Sequence, residues 1–201
     1  MRIRELAVRD AYEVTPVQWA DERGVFLEWF RFDELEKVID RSFVPKQANT
    51  SVSRRGVVRG IHFADVPPGQ AKYVTVTRGA GIDFVVDVRV GSPTFGRWDS
   101  VVLDAEDRRA VFISEGIGHA FVATTDDATL TYLVSAVYNP AAEHDLNLLD
   151  PDLALVFPPE LGTPVFSPKD HLAPTLAALR EAGKLPDYDE AVAFYAAQRK
   201  A

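Results

Sequence analysis

Two basic side chains and a histidine fall in one short stretch: Arg59 and His62 in Arg59-Gly60-Ile61-His62-Phe63, then Lys72 in Gln70-Ala71-Lys72-Tyr73-Val74. Imidazole titrates closest to neutral pH, so His62 has the chemistry of a general base. The flanking cations suit an anion, or an oxygen that gains charge during a reaction. Just upstream, Gln47-Ala48-Asn49-Thr50-Ser51-Val52-Ser53 carries a polar side chain at every second position. On a strand that spacing sets Gln47, Asn49, Ser51 and Ser53 on one face, as either a wet outer surface or the wall of a pocket. Downstream, an unbroken strand through Tyr132 and Tyr138 aims both phenols to one side. Lys72 shares a face with Val74 and Val76, which fits the mouth of a barrel, where the upper layer lines a cavity and the lower layers pack. Arg59 and His62 differ by an odd number and face opposite ways on a regular strand. Both enter one site only if Gly60 permits a bend or bulge.

The elements that must position these groups read as mainly β. From Val25 to about Tyr138 the chain is a series of short β-branched and aromatic runs. They are Gly24 to Phe30, Ala71 to Thr77, Gly81 to Val90, Val101 to Leu103, Ala110 to Ile113, Ala120 to Ala123 and Thr129 to Tyr138, punctuated by turn residues such as Gly79, Gly91-Ser92-Pro93 and Asp126-Asp127. Many strands of this length close most readily into a barrel or a two-sheet jelly roll, with its core over about residues 25–140. A short amphipathic helix is predicted at Phe32 to Ile39. The alanine-rich tail, about residues 172–199, is predicted as two helices, Leu172 to Ala182 and Asp189 to Arg199, packed outside the barrel.

Composition narrows the function classes. With 201 residues and 47% hydrophobic content the chain is read as a single domain, 1–201, with one substantial core. Its 22 basic and 30 acidic residues give a net charge of -8, which argues against a general nucleic-acid or membrane-surface binder. Without cysteine there is no disulfide framework, thiolate metal site or cysteine nucleophile. The opening Met1-Arg2-Ile3-Arg4-Glu5-Leu6 lacks an apolar signal core, so a cytoplasmic location is the expectation.

Longer motifs carry a resemblance. They are Arg23-Gly24 with Phe26 and Glu28, Gln47-x-Asn49-x-Ser51-x-Ser53, Gly56-Val57-Val58-Arg59-Gly60-Ile61-His62, Gln70-Ala71-Lys72, Asp87-x-Arg89-x-Gly91-Ser92-Pro93-Thr94-Phe95-Gly96 and Glu115-Gly116-x-Gly118-His119-Ala120-Phe121. Together, over about residues 2–170, the chain closely resembles the dTDP-4-dehydro-6-deoxyglucose epimerases, including the dTDP-4-dehydrorhamnose 3,5-epimerases. The resemblance implies a cupin-like jelly roll, a homodimer that exchanges N-terminal strands, a dTDP-4-dehydro-6-deoxyglucose-type substrate, and no metal or cofactor. It implies His62 as the base, Tyr132 as the acid facing it and Asp170 as the carboxylate that orients the histidine. Lys72 is the candidate for the enolate oxygen. Arg23, Arg59 and His119 fall near the sugar nucleotide. Gln47, Asn49, Glu28, Glu143 and Lys169 fall at binding positions, Tyr138 stacks on the thymine, and Arg23 with Phe26 completes the neighbouring subunit's site.

The chemistry explains those residue types. A ketone at sugar C4 acidifies the protons on C3 and C5, and inversion requires removal from one face and return to the other. The residues leave alternatives open. Asp83 competes with Asp170 as the support for His62, while Asp87 has Arg89 as a possible partner. A metal-binding cupin is disfavoured because His62, His119, His144 and His171 form no His-x-His pair. A non-catalytic sugar-nucleotide-binding cupin would need no opposed base and acid, and a ketoisomerase would use a similar enolate. C3 epimerisation is the expectation, in an antibiotic-type deoxysugar pathway, with a 3,5-epimerase of the dTDP-rhamnose type as the alternative.

Overall fold

The β-branched runs pair into two antiparallel sheets in the computed structural model, which describes residues 1–199 apart from the side chain of Glu160. Lys200 and Ala201, the end of the expected domain, lie outside the described residues. In chain order the strands are β1 (Arg2–Glu5), β2 (Ala11–Thr15), β3 (Gln18–Asp21), β4 (Gly24–Leu27), β5 (Gln47–Ser53), β6 (Val58–Ala64), β7 (Lys72–Arg78) and β8 (Ala80–Val86). They continue with β9 (Trp98–Asp104), β10 (Ala110–Ile113), β11 (Gly118–Ala123), β12 (Ala128–Val134) and β13 (Glu143–Asp145). One sheet has six strands in the order β1-β2-β10-β7-β12-β5, and the other has five in the order β13-β6-β11-β8-β9. This is the cupin-like jelly roll implied by the resemblance.

Burial on both faces explains why the central strands are so apolar. Val74, Val76, Val111, Ile113 and Leu130 of the six-stranded sheet meet Val85, Val101, Leu103 and Phe121 of the five-stranded sheet in the core between them. The opposite face of the five-stranded sheet, with Ile61, Phe63, Phe84 and Val122, is covered by Leu146, Leu148, Leu176 and Leu179. On the far side of the six-stranded sheet, Tyr73 and Phe112 pack against Leu35 and Phe43. Each such side chain, fully buried, contributes about 1.5–3 kcal/mol relative to exposure. The amphipathic helix α1 (Phe32–Ile39) forms where predicted and supplies Leu35.

Several expected boundaries move. The sheet starts well before residue 25, because β1 and β2 add to β10 at its edge. The Gly24 to Phe30 run is no barrel strand: only Gly24–Leu27 is extended, in a separate hairpin with β3 that buries neither face. β12 ends at Val134, so Tyr132 and Tyr138 do not share a strand; after it Ser135 turns away, its hydroxyl accepting from the Ala71 N–H at 2.8 Å. The tail helices are α2 (Pro168–His171), α3 (Leu176–Glu181) and α4 (Tyr188–Ala197). α3 begins later than expected because Pro174 precedes Thr175, whose Oγ1 caps the helix by accepting from the Ala178 N–H at 3.2 Å. No helix among the described residues is long and apolar enough to cross a membrane.

Candidate active site

Two adjoining cavities, of about 280 and 430 Å³, share His62, His119, Tyr132 and Lys169 and form one cleft between the sheets. The five-stranded sheet supplies Arg59 and His62 from β6, His119 from β11 and Glu143 from β13. The six-stranded sheet supplies Tyr132 from β12, Lys72 from β7 and Gln47, Asn49 and Ser51 from β5. The polar alternation of β5 is therefore a pocket wall, while Ala48, Thr50 and Val52 face outward and are exposed.

Arg59 and His62 converge because β6 is bulged. His62 stands opposite His119 and Arg59 opposite Phe121, so one extra residue of β6 is fitted between those two pairs. Gly60 makes this possible. Its φ is +118°, and a Cβ there would sit 2.5 Å from the His119 carbonyl oxygen and 2.8 Å from the Ala120 Cα.

His62 Nε2 lies 2.9 Å from Asp170 Oδ1. Asp170 is fixed by a reciprocal cap at the start of α2: the Ser167 hydroxyl donates to Oδ2 at 2.7 Å and accepts from the Asp170 N–H at 3.1 Å. Burial pushes this carboxyl up, but the bonds from His62 and Ser167 and the charges of His62 and Lys169 outweigh it and hold Asp170 below the usual carboxylate range. Asp83 does not support His62. It is wholly buried on β8 and lies 3.0 Å from Nδ1 of His119, the histidine across the ladder. Asp87 lies away from the cleft, where it accepts from Arg89, Ser92 and Thr94.

Lys72 is 5% exposed, and burial lowers its pKa against the opposing pull of Glu143, Glu115 and Asp83. Burial pushes the Tyr132 phenol up, with Glu143 adding to the rise and Arg59 and Asn49 opposing it. Arg59 Nε donates to Ser53 Oγ at 3.0 Å. Gln47 donates to Asn49 Oδ1 at 2.8 Å and accepts from the Tyr138 N–H at 3.0 Å, which places the exposed Tyr138 ring at the cleft mouth.

Arg23, Phe26 and Glu28 do not line this cleft. Arg23 donates to Asp21 at 3.0 Å, Phe26 packs on Trp19 with ring centroids 5.8 Å apart, and Glu28 pairs with Arg31 at 3.1 Å. All three belong to the exposed β3–β4 hairpin or the segment that leaves it.

The chain that builds this cleft matches a family model, that of dTDP-4-dehydrorhamnose 3,5-epimerase, over residues 5–178. The chain belongs to this family. It is 57% identical over 188 residues to a dTDP-4-dehydrorhamnose 3-epimerase of Streptomyces niveus, a match that covers 94% of this chain and 90% of that relative. The solved rmlC epimerase of Mycobacterium tuberculosis superposes with a TM-score of 0.97 at 46% identity, over 99% of this chain and 100% of that one. A double mutant of ChmJ, a 3'-monoepimerase from Streptomyces bikiniensis solved in complex with dTDP, gives a TM-score of 0.94 at 47% identity, over 97% and 98% of the two chains. Its two substitutions replace a histidine and a tyrosine that are as far apart in sequence as His62 and Tyr132. The chain is thus an epimerase, an isomerase.

Sequence reasoning named Asp83 for the wrong histidine and missed Asp145. The pairing of Asp83 with His119 needs the β8–β11 register, which no local pattern reveals. Asp145 stands directly across the β13–β6 ladder from His62. With His62 and Asp170 it makes a described group of possible metal ligands whose donor atoms lie within 4.8 Å of one another. Those donors are already engaged: His62 Nε2 with Asp170, and Asp145 Oδ1 with Lys169 Nζ at 2.9 Å.

Proposed function

We propose that this epimerase inverts C3 of a dTDP-4-dehydro-6-deoxyhexose by proton removal beside the C4 ketone and proton return from the opposite face. One observation carries the mechanism: His62 and Tyr132 project into the same cleft from opposing sheets. A hexose ring held between them has a base on one face and an acid on the other.

In the first step the C3–H bond breaks, the proton passes to His62, and the electron pair moves into the ring to leave charge on the C4 oxygen. With Nε2–H donated to Asp170, Nδ1 is the nitrogen left to receive the proton. Asp170 then faces the imidazolium and stabilises it. Each unit of the gap between a carbon acid and an imidazolium corresponds to about 1.36 kcal/mol, so the base alone does not suffice. The ammonium of Lys72, in a buried setting, stabilises the enolate oxygen, a contribution of about 2.7–4 kcal/mol for one well-placed donor. In the second step Tyr132 gives its proton to C3 from the other face, and proton exchange with solvent resets both groups. The raised pKa of Tyr132 keeps the phenol protonated for this step.

Arg59 suits the diphosphate through its planar fork, and Tyr138 suits the thymine through its exposed ring. The position of Arg23, Phe26 and Glu28 outside their own cleft supports a homodimer in which the β3–β4 hairpin of one copy completes the site of the other. C3 is favoured over the double epimerisation in the family's name because the Streptomyces niveus relative and ChmJ are both named for the 3 position.

The test is incubation with dTDP-4-dehydro-6-deoxyglucose in heavy water, with deuterium located by NMR. Label at C3 alone is expected. Label at C3 and C5 makes the protein a double epimerase, and no label refutes the assignment. His62→Ala is expected to slow wash-in by about 10²–10⁴-fold, the usual range for a general base.

A further inference from the structure

Lys169 lines both halves of the cleft, yet its side chain is 61% exposed. A lysine so placed, on a flexible four-carbon stem, would ordinarily sample many rotamers and lose that freedom on meeting a ligand. It is paired instead with Asp145, whose Oδ1 lies 2.9 Å from Nζ. Asp145 is itself fixed by the sheet: it occupies the last position of β13, opposite His62, with its side chain 17% exposed.

We propose that Asp145 is a positioning residue for substrate binding, which pins the Lys169 ammonium over the cleft so that it meets the anionic nucleotide already ordered. The inference rests on the epimerase assignment only for its substrate; the nucleotide itself is the ligand concerned. Two distances decide through which neighbour Asp145 acts. Its 2.9 Å contact with Lys169 is an ion pair, whereas His62 Nε2 is farther away, at 3.6 Å, and already serves Asp170 at 2.9 Å. The bond from Asp145 also heads the causes that raise the Lys169 pKa, and Tyr138 is among the groups acting on the same ammonium. Lys169 lines both the part of the cleft that holds His62 and Asp170 and the part that holds Tyr138, the ring proposed to stack on thymine. With the sugar beside His62 and the thymine on Tyr138, the diphosphate that joins them would pass Lys169.

The experiment uses the full-length protein, dTDP-4-dehydro-6-deoxyglucose for kinetics and dTDP for calorimetry. Asp145→Asn, which keeps the shape and removes the charge, is expected to raise KM and weaken dTDP binding by roughly three- to fivefold, with kcat within about twofold of the unmodified protein. Lys169→Met is expected to do the same, and the double variant to be no worse than Lys169→Met alone, because one residue acts through the other. Unchanged KM and dTDP affinity in Asp145→Asn overturns the inference. So does a defect confined to kcat, which would place the action at His62, or defects that multiply in the double variant. Because dTDP calorimetry needs no turnover, a protein that exchanges no proton refutes the epimerase assignment and leaves the Asp145 result readable.

Discussion

His62 and His119 are the same residue type, face each other across one ladder and line one cleft, and their carboxylates set them apart. Asp170 reaches His62 from the tail of the chain, while Asp83 holds His119 from within the sheet. The Asp170 pair has a measurable pH signature. Its folded pKa lies below the ordinary value of 3.8, so its contribution to stability is fully present above that value and is lost as pH falls through the lowered folded value. Asp170→Asn is expected to cost about 1.5–3 kcal/mol at neutral pH, the range for hydrogen bonds to charged groups. In urea melts across pH, the gap from the unmodified protein should narrow below about pH 3.8. A gap that stays constant into acid would remove the ionised carboxylate from this role. Activity should fall with the loss of the carboxylate, since nothing else described lies as close to Nε2.

At the scale of the element, the irregular part of β6 assembles the site. A regular strand would have sent Arg59 and His62 to opposite faces; the extra residue at Gly60 brings both into the cleft. Gly60→Ala introduces a Cβ at a φ of +118° and against the His119 carbonyl oxygen and Ala120. The expected loss is about 2 kcal/mol or more, read as a lower urea midpoint at unchanged slope. Activity should drop further than stability, because the backbone that must yield carries both histidines. β5 shows the complementary point. Its polar side chains turn inward and Val52 turns outward at 60% exposure, the reverse of an ordinary edge strand, because the inward face belongs to the cleft.

At the scale of the whole molecule, the cleft is closed by segments distant in sequence. Ser167 to Asp170 cross over β6, and the tail is anchored by Arg41, whose buried guanidinium meets Glu115 at 2.6 Å and stacks 4.3 Å from the Tyr195 ring. The β3–β4 hairpin remains outside, exposing Trp19 and Phe26 at 49% and 67%. If this hairpin completes the cleft of a second copy, Phe26→Ala and His62→Ala on separate chains fall together in one site of a mixed dimer and leave the other site intact. Each variant alone should be nearly inactive, and refolding the two together should restore activity through the one site with neither substitution. No recovery from a mixture shown by sedimentation to contain mixed dimers would place Phe26 outside the site. Sedimentation of the unmodified protein should give a dimer.

The residue types and spacings were enough to mark much of the cleft. Lys72 with Val74 and Val76, the polar face of β5, and the parity conflict at Gly60 all follow from the two-residue period of a strand. Motifs as long as these also fixed the family. Helix α1 was legible because an amphipathic stripe is a local pattern. The resemblance implied Asp170 beside His62, but tertiary structure alone decided that Asp83 of β8 meets His119 and that Asp145 of β13 faces His62, since strand register determines both. It also decided that residues 2–15 join the sheet and that the Gly24–Leu27 strand does not, because a β-branched run pairs according to the edge it finds. A strand's period states which side chains share a face; only its neighbours state what that face meets.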